Sequence, residues 1–138
     1  MIPTKATQED VPRIMWALLC LLNKSPAPQM KYADYDVAEA SIRRAVDEGR
    51  AWLIHGYFIM VDVGSDWYTA GKYLIEQIIL RVDREPHPVN VAVHALDYLK
   101  AHFDCVAIVV GDTQIGHMTP IYEAEGYKFL GTQLIKEN

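Results

Sequence analysis

The stretch from residue 74 to residue 99 constrains the fold more than any other part of the chain. Residues 74–82 are rich in Ile and Leu and bounded by turn residues, which is typical of a central strand buried on both faces. A short proline-containing turn follows at residues 83–88, and apolar residues then recur every three or four positions over residues 89–103, which predicts a helix. A strand that leads into a helix indicates an α/β domain. The first turn of such a helix has N–H groups without partners, which suit an anionic ligand.

Two helices are predicted before this central strand. The first begins after Thr7, whose hydroxyl suits a helix cap, and ends near Asn23. The second covers residues 37–48, with Asp36 as its cap and Gly49 as its stop. Both have apolar residues at helical spacing, so we expect each to bury one face.

The remaining strands complete a mixed sheet. Two short strands, at residues 52–54 and 57–63, are expected to form an antiparallel hairpin. A strand at residues 105–110 follows the helix at 89–103 and should lie parallel to the central strand. A short helix at 118–125 ends at a glycine, and residues 127–135 alternate as a last strand would. The predicted order is β-α-α-β-β-β-α-β-α-β.

Composition limits the classes of protein that fit. The chain has 138 residues, 51% of them hydrophobic, which suits a single domain over residues 1–138. A net charge of −5 argues against nucleic acid as a partner. We see neither an apolar run of the ~18–20 residues that a membrane span needs nor a signal peptide, so a cytoplasmic location is expected. Cys20 and Cys105 are expected to be free, buried thiols in a reducing compartment, and no metal site is predicted.

Several strings resemble the GNAT superfamily of acyl-CoA N-acyltransferases. ATQEDVPRI, at residues 6–14, is similar to the opening of that family, and IYEAEGYKFLG, at residues 121–131, is similar to its closing signature. The resemblance implies a GNAT-like α/β (α+β) fold with a mixed, twisted sheet flanked by about four helices. It also implies that the two parallel strands part toward their C-terminal ends and hold the cofactor, acetyl-CoA, between them.

The resemblance assigns two catalytic roles. Tyr122 would be the general acid that protonates the departing thiolate, which a phenol can do because of its high pKa. Glu76 would be the base that deprotonates the acceptor amine. The structural alternatives are a Tyr122 that only packs, and a Glu76 that pairs with Arg81, Lys72 or a backbone amide.

The resemblance also assigns cofactor contacts. The backbone of Val82 and Asp83 would face the pantetheine arm. The pyrophosphate loop of the family has the pattern Arg/Gln-x-x-Gly-x-Gly/Ala and aligns with residues 87–92, so the predicted contacts there are His87, Asn90, Val91 and Ala92. His87 replaces the arginine, Asn90 replaces a glycine, and Pro88 lacks an N–H. The loop is therefore degraded, and weak cofactor binding is expected.

Other polar and aromatic residues have simpler interpretations. His94 and His102 are expected on solvated helix faces, and His55 and His117 in turns. Large aromatics are interpreted as core or interface residues: Trp16, Trp52, Trp67 and Tyr68.

Three functions remain open at this level, and the third is a peptide- or regulator-binding domain that uses the splayed central strands as an open edge. The first is an N-acetyltransferase that acts on an unidentified amine or protein acceptor. The second is a catalytically inactive binding or assembly protein with the same fold. The string YTAGKYLIEQIILRV, at residues 68–82, also resembles short GNAT-like bacteriophage proteins, some of them virion-associated. A homodimer or a virion contact is the partner that this alternative implies.

Overall fold

Five strands form one sheet whose spatial order follows the sequence, β1-β2-β3-β4-β5. The computed structural model describes residues 2–25, 27–111, 118–131 and 133–137. The strands are β1 (Thr4–Lys5), β2 (Ala51–Ile54), β3 (Tyr57–Gly64), β4 (Tyr73–Arg81) and β5 (Ala107–Val109). The helices are α1 (Val11–Leu22), α2 (Tyr35–Asp47), α3 (Asn90–His102) and α4 (Thr119–Ala124). In these described ranges, no helix is both long enough and apolar enough to cross a membrane.

The sheet is mixed, as predicted. The first four strands pair antiparallel with their neighbours, whereas β4 and β5 are parallel and are joined through α3. Both ends of α3 and of β4 lie within one residue of the sequence prediction. The long apolar run and the helical period after it therefore predicted this unit correctly, because a buried strand and its covering helix each have a distinct spacing.

Helices cover both faces of the sheet. On one face, α1 and α2 pack on the sheet through a cluster of buried residues that includes Ile14, Ile42, Phe58 and Leu80. On the other face, α3 and α4 pack on the sheet through a second cluster, whose members include Trp52, Val61, Leu74, Leu96, Leu99 and Tyr122. Burial on both faces explains why the central strand is mostly apolar, with Glu76 and Gln77 as the polar residues in its middle.

Positive φ angles fix the two turns nearest to β2. Gly49, with φ of +74°, ends α2 as predicted. The β2–β3 hairpin turns at His55 (φ +42°) and Gly56 (φ +88°), as predicted. Two successive residues with positive φ are the requirement of a type I′ hairpin turn, whose twist matches the strands that it joins.

A β-bulge divides β4. Met60 of β3 pairs with Ile78, but Val61 pairs with Glu76, so that Gln77 is an extra residue. Because side chains alternate along a strand, the extra residue reverses which face each later position occupies. Leu74 and Glu76 consequently share the α3 face, while Ile78 packs with α1 and α2.

Three sequence predictions are wrong. Residues 127–131 and 133–135 include no strand, although their apolar residues alternate. Alternation gives strand propensity only, and a strand also needs a partner edge. Asp34, not Asp36, caps α2, because its carboxylate accepts a hydrogen bond from the Val37 N–H at 3.0 Å. Cys20 is exposed on α1, whereas Cys105 is buried as expected, and both are free.

Three of the four large aromatics also lie outside the core. Trp52 is buried against α3, but Trp16, Trp67 and Tyr68 are exposed, with Trp67 at 95%. Trp67 and Tyr68 contact each other edge-on in the loop before β4, with ring centroids 5.2 Å apart. A core role for these three is excluded, and an interface role stays a prediction.

Candidate active site

The two parallel strands stay paired for only three residues. Tyr73, Leu74 and Ile75 of β4 pair with Ala107, Ile108 and Val109 of β5. Beyond Ile75, β4 continues to Arg81 with no strand partner on that edge among the described residues. A strand edge without a strand partner is the kind of surface to which an extended ligand can add. The described pairing of the two strands thus ends after Ile75, which is where we place the parting that the resemblance implies.

Glu76 lies where the two strands part. Its carboxylate accepts a hydrogen bond from the Gly111 N–H, at 3.5 Å, just beyond the end of β5. The side chain is partly buried and faces α3 rather than α1 and α2. A carboxylate in this position is close to any ligand that occupies the open edge of β4.

Tyr122 lies on the same face of the sheet. It is the buried residue of α4, 4% exposed, and packs in the cluster that includes Leu74. Its ring contacts the ring of Tyr127 edge-on, with centroids 5.2 Å apart. The structure therefore brings Glu76 and Tyr122, the two predicted catalytic residues, to one side of the sheet around Tyr127.

Tyr127 is a residue whose environment the sequence did not reveal. Its hydroxyl oxygen is buried and has no hydrogen-bond partner within the described part of the chain. Burial first, and then the carboxylates of Asp97, Glu76 and Glu125, raise the pKa of Tyr127 to about 12. The phenol is thus neutral at physiological pH and is a proton donor near Glu76 that has no acceptor among the described residues. Its place in the closing signature was the only available signal.

The predicted cofactor loop begins where β4 ends. Val82 and Asp83 donate their N–H groups to the Gly56 carbonyl, at 2.8 and 3.3 Å. His87 donates its N–H to the His55 carbonyl at 3.3 Å, and Tyr57 donates its hydroxyl to the His87 carbonyl at 2.7 Å. The loop is consequently held against the β2–β3 turn by its own backbone.

The first turn of α3 is also largely satisfied. Val91 and Ala92 donate their N–H groups to the carbonyls of Pro88 and Val89, at 3.0 and 2.9 Å. Asn90 begins the helix and has no positive φ, so it does not adopt the left-handed backbone that a glycine would supply there. With Pro88 lacking an N–H, few backbone donors of the predicted loop remain for a phosphate.

Side chains gather around this loop instead. Arg81 donates to the carbonyls of Asp83 and Arg84, and Arg13 of α1 forms an ion pair with Asp83 at 3.1 Å. The rings of His55 and His87 face each other with centroids 4.3 Å apart. The sequence placed His55 in a turn, which is correct, but did not connect it with His87.

The other histidines lie away from these groups. His94 and His102 are exposed on α3, as predicted, where His94 lies 3.3 Å from Glu125 and His102 contacts Trp52. His117 lies outside the described residues. Among described side chains, no group of three His, Cys, Asp or Glu residues is arranged to hold a metal ion.

A cavity of about 150 Å³ lies on the opposite face of the sheet, between α1, α2, β3 and β4. Its walls are mostly apolar and include Leu18, Ile42, Phe58 and Ile78. The β4 bulge separates it from Glu76, because Gln77 lines the cavity while Glu76 faces α3. We therefore do not assign the cavity to the chemistry of Glu76 and Tyr122.

Sequence comparisons and structure comparisons give different results. No family model matches the chain, and no curated protein matches it by sequence. Solved structures do match. A possible acetyltransferase from Clostridium difficile 630 superposes with a TM-score of 0.70 at 15% identity, over 99% of this chain and 95% of that one.

Two further solved structures show the same likeness. An acetyltransferase of the GNAT family from Bacillus cereus ATCC 10987 superposes with a TM-score of 0.65 at 17% identity, over 98% of this chain and 88% of that one. A transcriptional regulator from Bacillus halodurans C-125 superposes with a TM-score of 0.69 at 14% identity, over 99% of this chain and 98% of that one. At these identities the likeness shows the fold alone, which is GNAT-like and confirms the predicted fold class. The bacteriophage resemblance finds no support among these structures.

Proposed function

We propose that this chain is an N-acetyltransferase that transfers an acetyl group from acetyl-CoA to an amine. The observation that carries the proposal is the parting of β4 and β5 after Ile75, with Glu76 at the point of parting. An open strand edge beside a carboxylate and a buried tyrosine can bind an extended thioester and exchange protons with the reacting groups.

The residues fit acetyl-CoA in part. The edge of β4 from Gln77 to Arg81 has no strand partner among the described residues, and Val82 lies six residues from Glu76, about 20 Å at ~3.3 Å per residue. An extended cofactor arm can therefore follow the strand toward the loop. The backbone of the loop fits a pyrophosphate poorly, because most of its donors bond within the protein. Weak affinity is the expectation that follows.

Acetyl-CoA supplies the activated thioester, and the residues of this chain handle protons. Glu76 accepts the proton that the acceptor amine loses as its nitrogen attacks, and Tyr122 donates its phenolic proton to the sulfur that leaves. His87, Asn90, Val91 and Ala92 remain the proposed contacts for the phosphate end, with Val82 and Asp83 beside the arm. The acceptor stays open, and a cytoplasmic location remains a proposal.

Calorimetry with acetyl-CoA tests the binding step. We expect measurable but weak binding, and a cofactor concentration of ~100 times the dissociation constant should raise the free energy of unfolding by ~2.7 kcal/mol. Binding at low micromolar concentration would contradict the degraded-loop argument but not the enzyme. If no binding is detected by calorimetry or by thermal shift at millimolar acetyl-CoA, the proposed function is wrong.

Variants then test the chemistry with a panel of amines. Tyr122→Phe and Glu76→Gln should each lower turnover by a factor of ~10²–10⁴, the usual contribution of a general acid or base, and should leave acetyl-CoA affinity nearly unchanged. Tyr98→Phe, which removes a hydroxyl from an exposed ring of α3, is the matched control. Turnover equal to that of the control would exclude the assigned roles.

A binding or assembly protein without catalysis is the second candidate. The internal bonds of His87, Val91 and Ala92 favour it, because each occupies a donor that a phosphate would otherwise use, and those of Val82 and Asp83 occupy donors assigned to the cofactor arm. Its virion-associated form and a homodimer remain proposals. Absence of acetyl-CoA binding in the experiment above would make it the leading account.

A further inference from the structure

The sheet has one protected edge and one unprotected edge. At one end, β1 has only two residues, Thr4 and Lys5, both exposed, and a lysine on a short strand is a usual defence against pairing with another chain. At the other end, β5 lies in the run CVAIVVG, residues 105–111, which has neither a charge nor a proline. Within the described part of the chain, only β4 pairs with β5. An uncharged apolar edge of this kind favours the addition of a further strand.

The backbone of β5 has groups left for such a strand. Val106 donates its N–H to the carbonyl of Lys72, the residue just before β4, at 2.8 Å. Because successive N–H groups of a strand point to opposite edges, the N–H of Ala107 points away from β4. The side chain of Val106 is exposed. The outer edge of β5 can therefore take a partner strand without losing a bond to β4.

The described residues after α4 provide the other half of such a contact. This post-α4 segment, residues 127–131 and 133–137, has the alternation of a strand but pairs with no described strand. Its apolar side chains are exposed, Phe129 at 82% and Leu134 at 93%. The sequence FLGTQLI, residues 129–135, also has neither a charge nor a proline. Each copy of the chain thus carries both an unpaired edge and an unpaired segment that suits a strand.

The far end of the post-α4 segment is held weakly. At the near end, Tyr127 donates its N–H to the Tyr122 carbonyl at 3.1 Å, and the two rings are in contact. At the far end, Glu137 forms an ion pair with Lys31, whose side chain is more than half exposed. An exposed ion pair contributes little to stability, so the segment beyond Tyr127 can leave its place at little cost.

Length and charge match the two elements to each other. The runs CVAIVVG and FLGTQLI both have seven residues, 105–111 and 129–135. Asp104 directly precedes the first run, and Lys128 and Lys136 flank the second, all three exposed. When the runs are aligned, one of the lysines comes beside Asp104 whichever direction the added strand takes. Opposite charges on neighbouring strands stabilise their pairing.

We propose that two copies of this chain form a dimer by strand exchange, in which the post-α4 segment of each copy pairs with the outer edge of β5 of the other. The two contacts are equivalent, so the dimer is closed. A second copy fits because the chain itself supplies both halves of the contact. The inference goes beyond the homodimer named above, since it assigns the surface, and it does not depend on acetyl-CoA binding.

Analytical ultracentrifugation over a range of concentrations tests the dimer. We expect a monomer–dimer equilibrium in the micromolar range without larger species, because exchange closes the assembly. Phe129→Asp and Ile135→Asp each place a charge in the pairing segment and should raise the dissociation constant about tenfold or more. Val37→Asp, the same change at an exposed apolar residue of α2, is the matched control and should associate as wild type does. Thermal unfolding below the dissociation constant confirms that each variant folds.

A variant of the edge makes the test specific to β5. Ala107→Pro removes an N–H that points away from β4, a position at which an edge strand tolerates proline, and should also weaken association about tenfold or more. A mixture of Ala107→Pro with Ile135→Asp should associate more tightly than either variant alone, because the first supplies an intact segment and the second an intact edge. This recovery requires residues 107 and 135 to meet across the interface. If Ala107→Pro does not fold, the two segment variants still decide the question.

Three results would overturn the inference. The first is a monomer at millimolar concentration, whether or not the segment pairs within its own chain. The second is a dimer whose dissociation constant is unchanged in Phe129→Asp and Ile135→Asp. The third is a dimer that Trp67→Asp abolishes while the segment variants do not, which would place the interface at the exposed loop before β4.

Calorimetry with acetyl-CoA on the same samples separates this inference from the proposed function. A dimer with the expected response to the variants, but without acetyl-CoA binding, leaves the exchange standing and refutes the acetyltransferase. A chain that binds acetyl-CoA and stays monomeric refutes the exchange and leaves the acetyltransferase standing.

Discussion

The buried hydroxyl of Tyr127 is the residue-scale feature with the clearest consequence for stability. The raised pKa of Tyr127, about 12 against an ordinary 10.0, means that the folded protein keeps a proton that the unfolded chain loses first. The stabilising contribution is therefore complete below pH 10 and is lost as the pH rises toward 12.

We expect the free energy of unfolding of the wild type to fall more steeply than that of Tyr127→Phe between about pH 10 and 12. Near neutral pH, the same change should cost little, because it removes a buried hydroxyl that has no partner among the described residues. Urea unfolding across this pH range measures both effects, with Tyr98→Phe as the control for an exposed ring. Parallel pH profiles for wild type and Tyr127→Phe would refute the burial of the hydroxyl.

Residue-scale predictions from the sequence succeeded where local chemistry decides the outcome. Gly49 and Gly126 have the positive φ angles that their places after helices predict. Local chemistry did not decide the outcome at Asn90. This residue replaces a glycine of the family pattern, but it begins α3 and has no positive φ, because its backbone angle depends on the helix that follows. The contact between His55 and His87 joins positions 32 residues apart, and no local pattern contains such information.

At the scale of elements, the β2–β3 turn supports the cofactor loop. A Cβ at Gly56 would lie 2.7 Å from the Cβ of Pro86 and 3.0 Å from its Cα, and the φ of Gly56 is +88°. Any side chain there is strained twice, once by the backbone angle and once by the loop. The loop can approach the turn this closely only because the residue is glycine.

We expect Gly56→Ala to destabilise the protein by about 2–4 kcal/mol and to displace the loop that contains His87. Gly126→Ala isolates the backbone cost, since its φ is +91° but no atom of a described residue lies within 4 Å of the added Cβ. Gly111 has neither a positive φ nor a described atom within 4 Å of an added Cβ, so Gly111→Ala controls for the effect of replacing any glycine by alanine. Equal unfolding free energies for the variants at 56 and 126 would show that the loop does not press on the turn.

The sequence predicted elements best where two signals agreed. The central strand and α3 each combine a clear spacing with turn residues at their ends, and both lie within one residue of their predicted bounds. Residues 127–135 carried alternation alone, and their apolar side chains, such as Phe129 and Leu134, are exposed. The candidate site depends on where strands part and which turns touch, which are tertiary properties that spacing along one element does not encode.

At the scale of the whole molecule, the sheet separates two apolar clusters. Ile14 lies in the cluster of α1 and α2, and Leu96 lies in the cluster of α3, each with none of its surface exposed. Side chains on opposite faces of a sheet share no contacts. Their contributions to stability should therefore be independent, although both clusters are needed for one cooperative fold.

We expect Leu96→Ala to cost ~2–4 kcal/mol and Ile14→Ala ~2–5 kcal/mol, with the double variant equal to their sum within ~0.5 kcal/mol. Urea unfolding followed by circular dichroism and by tryptophan fluorescence should give coincident transitions. Leu134→Ala, the same truncation at a side chain that is 93% exposed, should change stability by less than ~0.5 kcal/mol. A cost below ~0.5 kcal/mol for Leu96→Ala would contradict the placement of Leu96 on the face of α3 that packs against the sheet.

The order of the strands has a consequence for synthesis on the ribosome. Every member of the α1–α2 cluster lies between residues 6 and 82, so that half of the interior can close as soon as β4 has emerged. The other half cannot, because its partners in α3 begin only after residue 90. Until then, the nascent sheet presents Trp52, Val61 and Leu74 to solvent, which is the kind of transient surface that holdase chaperones bind.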